Sequence, residues 1–314
     1  MSENSNTSND LNNPHDKFFK SAFSLFEIVN PLLVEFLPKT LLDKLDLESL
    51  ELDPNSYITD ELKESFSDLV WSCQFKNSHQ KKKIAFLFEH KSYKPAFPHF
   101  QIMDYQSNAW KTQIAAKQTP VPILPIVFFH GQEKWIYEPF ESYFGGIEPE
   151  FLQFVPSFNY LLINLNDYSE KRIRSIESVF LQKTLLAFKH YWDKHYFKVH
   201  VVELLFDGYN QTKNERIRLF IRILAVYLTA VSGISRQEVI EQAKQSGNNL
   251  NSKSMSIIEE FIEEGIEKGI EKGKKLNIFD AYKRGINLEL IADVFGTTVQ
   301  NIKEVIAELE AEQK

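Results

Sequence analysis

The sequence contains very little cysteine, and this limits both its covalent structure and its metal chemistry. Cys73 is the single cysteine among 314 residues, so an intrachain disulfide is excluded. This fits a protein of a reducing cytoplasm, and we expect that location. No cluster of cysteine and histidine has the spacing of metal ligands, so the sequence does not indicate a zinc site.

Long apolar runs and an excess of positive charge are also missing. No run is long enough to span a bilayer, and the polar residues 1–13 do not have the pattern of a signal peptide, so we expect no membrane association. The formal net charge is −7, which argues against a protein whose whole surface grips nucleic acid. A local basic groove is still compatible with this value, because the distribution of charge matters more than its sum.

Aromatic residues, by contrast, are plentiful. The chain has 26 Phe, 12 Tyr and 4 Trp, and 43% of its residues are hydrophobic. We interpret these aromatic side chains mainly as core residues. The length allows one large domain or two smaller ones, and either can bury a substantial core.

A short apolar run at residues 84–91, with the sequence IAFLFEHK, predicts a strand that is buried on both faces. Because side chains alternate along a strand, Glu89 and Lys91 leave the same face. Burying a carboxylate and an ammonium group at the end of a strand costs free energy, unless the two groups are paired or serve a function. This stretch is therefore the first candidate for a functional site.

The preceding residues, 67–75, predict a second strand that forms an antiparallel hairpin with the first. If the hairpin is centred on the polar turn between them, Asp68 faces Lys91 and Val70 faces Glu89. Asp68 and Glu89 are then diagonal neighbours, with backbones about 7–8 Å apart. Two carboxylates at that separation can share a hard divalent cation such as Mg²⁺.

Asp68, followed after 20 residues by Glu89-His90-Lys91, resembles the Asp…(Asp/Glu)-x-Lys core of the PD-(D/E)XK nucleases. Two further segments, HDKFFK at residues 15–20 and FSDLVW at residues 66–71, indicate one family within this superfamily. Together with the later Ile-Glu-Lys-Gly repeats, they resemble the recombination-promoting nuclease/putative transposase family, the YhgA-like group. The residue before Asp68 is Ser67, where the superfamily motif has proline.

The resemblance implies an α/β (α+β) fold: a restriction-endonuclease-like core with a mixed central sheet flanked by helices. It also implies a metal-dependent DNA endonuclease that is associated with recombination or transposition and hydrolyses phosphodiester bonds. Asp68 and Glu89 would be catalytic and would hold Mg²⁺, with Mn²⁺ or Ca²⁺ as alternatives. The main-chain carbonyl of His90 would be a further metal ligand, and Lys91 would orient the water or neutralise charge on the phosphate.

The segment after this strand adds two candidates. Residues 98–117 predict a helix with Pro98 in its first turn. Gln101 and Tyr105 are spaced i, i+4 and share a face of that helix. This Gln-x-x-x-Tyr is similar to an accessory motif of RecB-like and lambda-exonuclease-like nucleases, where it positions DNA near the metal. The alternative is a tyrosine packed on the sheet and a glutamine at the helix end.

Several other side chains have two interpretations from the sequence. The lysines at 81–83 and Lys94 either contact phosphate or are merely solvated. Glu64 is either an extra ligand or a surface residue. His130 is either a neighbour of the active site or a residue of a turn. Asp16 is expected to cap the helix that follows it, with a catalytic role as the alternative.

The remaining pattern predicts the layout of the domain. Residues 46–65 are rich in acidic side chains, most of which are expected to be solvated. Residues 126–129 and 160–165 predict a third and a fourth strand. Apolar spacing predicts helices over 170–190 and 214–231.

The chain divides, on these patterns, into four segments. They are a disordered tail at 1–13, a nuclease-like domain at 14–230, a helical linker with Gly-Ile-Glu-Lys repeats at 231–276, and a small helical module at 277–314. The all-α C-terminal module is similar to a helix-turn-helix, which would read DNA. A packing role, including self-association of the chain into a homo-oligomer, is the alternative because its second helix is poorly basic.

A second class of function is compatible with the same residues. The chain could be a non-catalytic DNA-binding or protein-interaction module on a degenerate nuclease fold, with Lys91 in a structural salt bridge. The acidic balance of the chain favours this alternative, whereas the presence of Asp68, Glu89 and Lys91 favours the enzyme.

Overall fold

The computed structural model describes residues 14–53, 69–76, 83–207, 215–245, 275, 278–279, 282–283, 286–294 and 297–312. The chain divides into two compact units, Met1–Gln242 and Ala243–Lys314. The finer sequence-based subdivision, with boundaries at 230 and 276, stays a prediction.

Within the described part of the chain, five strands form one sheet. They are β1 Leu45–Leu52, β2 Leu69–Phe75, β3 Lys83–Lys91, β4 Ile123–Phe129 and β5 Leu161–Asn164. The helices of the same unit are α1 Pro14–Phe23, α2 Phe26–Phe36, α3 Lys39–Leu42, α4 Pro98–Ala115, α5 Glu170–Arg174, α6 Val179–Lys189, α7 Lys194–Phe206 and α8 Glu215–Ser232. Helix α9, Arg236–Gln245, follows.

The strand order in the sheet is β1-β2-β3-β4-β5, so β3 is central. Strands β1, β2 and β3 pair antiparallel, whereas β3, β4 and β5 pair parallel. Helix α4 makes the crossover between the parallel strands β3 and β4. The predicted mixed sheet flanked by helices is therefore confirmed, and so are the third and fourth strands.

The register of the β2–β3 hairpin differs from the predicted one by two residues. Val70 faces Leu87 and not Glu89, and the described pairing begins with Leu69 opposite Phe88. A shift of two residues preserves the face of every side chain. The observed register pairs two apolar side chains, and both pack against Tyr105 of α4 in a buried cluster. Asp68, for which we predicted a position opposite Lys91, lies outside the described residues.

Strand β1 was not predicted from the sequence, although the exposure of Glu51 agrees with the expected solvation of the acidic side chains. Leu45 and Leu50 are buried in the sheet. The register shifts between Asp46 and Glu51, as it does at a bulge. Because β1 is an edge strand, charged side chains on it discourage pairing with another chain. Residues 54–65 lie outside the described part of the chain.

One face of the sheet packs on aromatic side chains of α1. Phe19 and Phe23 are fully buried, and the ring of Phe23 contacts Phe88 of β3 and Phe128 of β4. The indole Nε1 of Trp71 donates a hydrogen bond of 2.9 Å to the carbonyl of Phe23. These contacts between aromatic rings and one buried polar group join α1 to three strands.

The other face of the sheet carries α4, which three side-chain hydrogen bonds hold to the chain entering β4. Gln106 Nε2 donates to the carbonyl of Ile123 at 3.1 Å, and Trp110 Nε1 donates to the carbonyl of Val121 at 2.9 Å. Gln113 Oε1 accepts from the Val121 amide at 2.8 Å. They satisfy backbone groups near the start of β4 and limit sliding of the helix along the sheet.

The segment predicted as one helix over 170–190 forms two helices, α5 and α6. Ser178 interrupts it because its Oγ accepts a hydrogen bond of 3.3 Å from the Leu181 amide, so this serine caps the start of α6. The predicted helix over 214–231 is confirmed as α8.

The second unit contains α10, Leu288–Val294, and α11, Val299–Glu312. Among its described residues, a buried cluster is formed by Ile278, Phe279, Ile291, Ala292, Ile302 and Ile306. The two helices agree with the predicted helix–turn–helix pattern, while Gly296 and the repeats at 263–273 lie outside the described residues. None of the described helices of the chain has the length and apolar character needed to cross a membrane.

The aromatic side chains packed under the sheet should contribute strongly to stability, so truncating one of them should have a large effect on the free energy of unfolding. Phe19→Ala removes a fully buried ring, so we expect the free energy of unfolding to fall by about 3–5 kcal/mol. Urea unfolding followed by circular dichroism measures this change. The matched variant Phe151→Ala removes an exposed ring, so its effect should stay within about 0.5 kcal/mol. Equal effects of the two variants would contradict this packing.

Candidate active site

A pocket lies between the carboxyl end of β3 and the first half of α4. Its interior volume is about 10 Å³, which is room for about one water molecule, and it is partly open to solvent. Strand β3 contributes Leu87, Glu89 and Lys91, which alternate along the strand and therefore face the same side. The other lining residues are Pro98, Gln101, Ile102, Tyr105, Val127 and Trp135.

The α4 wall of the pocket is one face of the helix. Pro98, Gln101, Ile102 and Tyr105 have spacings of three and four residues, which place them in one stripe along the helix. The structure thus brings together Glu89 of the strand and the two residues predicted from the Gln-x-x-x-Tyr spacing. Their roles stay predictions.

Tyr105 also fits the alternative interpretation of that spacing. It is buried against Val70 and Leu87 of the sheet while it lines the pocket. Gln101, by comparison, is only half-buried. The packing of the tyrosine and its place in the pocket wall are therefore compatible with each other.

Glu89 and Lys91 form a buried ion pair at the pocket. Their residues are only 5% and 8% exposed, and Lys91 Nζ lies 2.5 Å from Glu89 Oε1. That carboxylate oxygen accepts no hydrogen bond of proper geometry within the described part of the chain. The pairing offsets the cost of removing two charges from water. It also leaves a carboxylate and an ammonium group side by side in a pocket that reaches solvent.

The described residues supply only part of a metal site. They contain no group of three or more His, Cys, Asp or Glu side chains arranged to hold an ion. Glu89 is the described carboxylate that lines the pocket. Asp68, the predicted second carboxylate, lies outside the described residues and directly precedes Leu69 of β2. A hard cation such as Mg²⁺, which prefers several oxygen ligands, would need Asp68 in addition to Glu89.

The imidazole of His90 lies on the opposite face of the sheet from Glu89 and Lys91. Its Nδ1 lies 2.7 Å from Asp16 Oδ1, and its ring stacks on Phe19. The predicted metal contact concerned the main-chain carbonyl of His90, and it stays a prediction. The expected role of Asp16 as a helix cap is wrong, because Asp16 is the third residue of α1 and its carboxylate binds His90.

His90 belongs to a three-histidine cluster, formed by His15, His90 and His130, that the sequence analysis did not find. The rings of His90 and His130 stack at 4.7 Å, and those of His15 and His130 are 5.2 Å apart. His15 Nδ1 lies 2.9 Å from the hydroxyl of Tyr227. The cluster joins α1, β3, the end of β4 and α8. Residues so distant in sequence have no spacing that could reveal such contacts.

Burial lowers the pKa of two of these histidines, His15 and His130. The pKa of His130 lies well below its ordinary value, first because of burial and then because of charge on His90 and His15. Burial, followed by charge on His90, lowers the pKa of His15 to about 4. Both rings are therefore neutral at pH 7. His130 lies beside His90 on the α1 face of the sheet, so its interpretation as a neighbour of the predicted active site is not supported.

The segment after β4 approaches the end of β3 closely. A Cβ added at Gly131 would lie 2.3 Å from the carbonyl oxygen of Ser92, so this approach requires glycine. Asn166 Nδ2 donates to the carbonyl of Gly131 at 2.7 Å, and Asn164 Nδ2 donates to that of Trp135 at 3.3 Å. These bonds hold the segment that carries Trp135 to the pocket.

The other sequence candidates do not line the pocket in the described part of the chain. Lys94 Nζ lies 3.9 Å from Glu138 Oε1, so a carboxylate already partly neutralises it. Lys81, Lys82 and Glu64 lie outside the described residues.

The mixed sheet defines an α/β protein, in which a largely apolar pocket between the central strand and a helix contains one acidic and one basic side chain. Residues 13–216 match the family described as "Putative transposase, YhgA-like". This match extends over more than half of the chain, and the chain belongs to that family. The resemblance of the sequence motifs to the YhgA-like family is thus confirmed.

Several curated relatives are similar over a shorter stretch. Recombination-promoting nuclease RpnA of Escherichia coli (strain K12) is 31% identical over 121 residues, 38% of this chain and 41% of the relative. Recombination-promoting nuclease RpnD of Escherichia coli O157:H7 is 30% identical over 120 residues, 38% and 45% of the two chains.

A third relative has a different description. The "Inactive recombination-promoting nuclease-like protein RpnE" of Escherichia coli (strain K12) is 29% identical over 127 residues, 40% of this chain and 42% of the relative. This chain thus spans less than half the length of each of these three relatives. No solved structure matches the chain.

The lowered pKa of His15 predicts acid sensitivity. The unfolded state binds a proton on His15 near pH 6.5, whereas the folded state does so only near pH 4, so stability falls as the pH drops through this window. His15→Gln cannot take up this proton and should lose less stability between pH 7 and pH 5. Urea unfolding at several pH values measures how steeply the free energy of unfolding changes with pH. His195→Gln, at an exposed site in α7, should follow the wild type, and an unchanged slope for His15→Gln would contradict the assignment.

Proposed function

We propose that the chain is a metal-dependent DNA endonuclease of the PD-(D/E)XK type that acts in DNA recombination or transposition. The observation that carries the proposal is the pocket in which Glu89 and Lys91 of β3 meet Gln101 and Tyr105 of α4. Family membership and the names of the relatives RpnA and RpnD support it. Because these matches span less than half of each relative, the activity of the whole protein is a proposal.

In this proposal, Asp68 and Glu89 hold the metal ion, and the main-chain carbonyl of His90 is a further ligand. We propose Mg²⁺, with Mn²⁺ or Ca²⁺ as alternatives, because carboxylate and carbonyl oxygens suit these hard cations. When bound, such an ion polarises the phosphate and makes a water molecule more acidic.

Lys91 is the cationic group of the proposed site. Its ammonium lies 2.5 Å from Glu89 Oε1, so a scissile phosphate placed at that carboxylate would also be close to the lysine. A fixed positive charge in a poorly solvated pocket stabilises charge that develops on the phosphate, and it can hold the attacking water. The burial of Lys91 restricts its motion and keeps that charge in place.

Gln101 and Tyr105 are proposed to position the nucleic acid strand. The half-buried amide of Gln101 can both donate and accept hydrogen bonds at the pocket wall. Tyr105 is packed between helix and sheet, so this packing fixes the position of its side chain in the pocket wall. Residues held in this way reduce the entropy lost when a substrate is oriented.

A buried ion pair alone would be weak support for this proposal. Apolar residues of similar volume often replace such a pair without loss of stability, so stability gives little reason for Glu89 and Lys91 to be charged. Their place in a pocket that opens to solvent favours a chemical role. The description of RpnE as inactive favours the second candidate, a non-catalytic module that binds DNA or protein.

Cleavage of supercoiled plasmid is the direct test. Wild type should nick the plasmid with Mg²⁺ or Mn²⁺ and not with EDTA, and Asp68→Ala and Glu89→Gln should each lose at least about 100-fold in rate, as expected for catalytic groups. Asp104→Ala removes an exposed carboxylate of α4 outside the pocket and should change the rate less than about twofold. Folded wild type that cleaves with none of these metals would favour the non-catalytic module.

A double variant separates catalysis from a structural ion pair. Lys91→Met leaves Glu89 as a buried, uncompensated charge and should cost about 3–5 kcal/mol of unfolding free energy. Adding Glu89→Gln removes that charge and should restore much of the stability, while cleavage stays lost. Urea unfolding and plasmid nicking measure the two effects. The control Lys111→Met alters an exposed lysine of α4. A double variant that cleaves like wild type would contradict the catalytic roles of Glu89 and Lys91.

A further inference from the structure

The carboxyl end of β3 is held differently on its two edges. On the β4 edge, the amide of His130 donates a hydrogen bond of 3.2 Å to the carbonyl of Lys91. Backbone groups of successive residues point to opposite edges of a strand, so the amide and carbonyl of His90 point toward β2. The described pairing of β2 with β3 ends at Leu69 opposite Phe88. Within the described residues, no pair on that edge therefore includes His90.

The side chain of His90 supplies the contact that fixes this residue. Its Nδ1 lies 2.7 Å from Oδ1 of Asp16, which is in the first turn of α1. A carboxylate only accepts hydrogen bonds, so the imidazole is the donor. The side chain of His90 is 1% exposed, and its Nε2 has no hydrogen-bond partner among the described residues. Asp16 thus supplies the directional contact of this buried ring in the described part of the chain.

Two neighbouring rings restrict the imidazole further. The ring of Phe19 stacks on it at 4.9 Å with 23° between the ring planes, and the ring of His130 stacks at 4.7 Å with 10°. Both rings are nearly parallel to the imidazole, so they oppose tilting of its plane. The bond to Asp16 fixes the rotation within that plane, because hydrogen bonds weaken steeply when they are bent.

This contact bears directly on the two charged residues of the pocket. His90 lies between Glu89 and Lys91 in the strand, and the three side chains alternate between the two faces of the sheet. A rotation of the strand about its own axis that displaced the imidazole on one face would also displace the carboxylate and the ammonium group on the other. Apolar packing opposes such a rotation less specifically, because it is not directional.

Stability alone gives little reason for a polar contact at this place. The other rings near His90 include those of Phe128 and Phe188, so an apolar side chain would fit these surroundings. Apolar residues often replace a buried charged pair without loss of stability. A directional contact is expected instead where catalytic groups must be aligned, because a small misplacement of such groups strongly lowers the rate.

We propose that Asp16 is a positioning residue of the active site, which acts through His90 to fix the orientation of Glu89 and Lys91 from the opposite face of the sheet. The inference rests on the proposed nuclease function, because it assigns a further residue to the same reaction. Asp16 does not line the pocket. It therefore influences the rate of the chemical step and not the binding of the substrate.

Plasmid nicking by Asp16→Ala, at a temperature where circular dichroism shows every variant folded, tests this role. Its kcat should fall about 10-fold or more, as expected when catalytic groups lose their alignment, while KM for the plasmid should change less than about twofold. Asp16→Asn keeps an oxygen acceptor for the imidazole and should recover most of this loss. A kcat as low as that of Asp16→Ala would contradict the hydrogen bond as the cause.

Phe18→Ala is the matched control for stability. It removes a buried ring of the same helix, which packs on Phe188 and Tyr227. This variant should lower the free energy of unfolding and leave kcat within about twofold of wild type. If Phe18→Ala lowered kcat as much as Asp16→Ala, general loosening of α1 would explain both effects, and the positioning role would be wrong.

His90→Phe shows whether Asp16 acts through His90. Phenylalanine keeps a flat ring in the stack but cannot donate a hydrogen bond, so kcat should be as low as that of Asp16→Ala. The double variant should be no slower than either single variant, because both substitutions remove the same bond. Losses that multiply in the double variant would show that the two residues act independently, and would overturn the inference.

Hydrogen exchange followed by mass spectrometry gives a readout that does not depend on nuclease activity. In EDTA, amides of a peptide that covers residues 84–92 should exchange about 10-fold faster in Asp16→Ala, as expected for the loss of one hydrogen bond to a charged group. Peptides from α7 should exchange as in wild type. Unchanged exchange in β3, or an unchanged kcat, would overturn the inference alone if Glu89→Gln still abolishes nicking. Folded wild type that does not nick would overturn the proposed function, whatever the exchange shows.

Discussion

The alternation of side chains at the carboxyl end of β3 is the constraint on which the rest of the structure depends. Glu89, His90 and Lys91 are consecutive polar residues in the central strand of a sheet with helices on both faces. Alternation sends the outer two to one face and the middle one to the other. Each buried polar group needs a partner, so the helices on both faces of the sheet must accommodate the polar side chains of this strand.

The two layers meet this requirement differently. On one face Lys91 pairs with Glu89, and the pocket lined by α4 leaves the pair access to solvent. On the other face Asp16 of α1 binds His90, and neutral histidines and aromatic rings fill the space around it. The charged pair accordingly lies at a pocket that is partly open to solvent. The enclosed face contains mostly groups that are neutral at pH 7.

Parts of this arrangement could be predicted from the sequence, and the failures have physical causes. The apolar run before Glu89 has no helical period, so β3 was correctly predicted. Strand β1 was missed because its charged residues outweighed the leucines, whose alternation is interrupted between Asp46 and Glu51. The hairpin register was wrong by two residues, because the pairing of Val70 with Leu87 depends on burial against Tyr105 of α4, which the hairpin sequence does not contain.

By itself, the sequence determined which residues share a face of one element. A period of two places Glu89 with Lys91, and a spacing of four places Gln101 with Tyr105. These are local relations, set by backbone geometry. Only the tertiary structure decided that the two faces meet in one pocket, and that Asp16 lies against His90. Contacts between distant residues depend on how whole layers pack, and no local period encodes that packing.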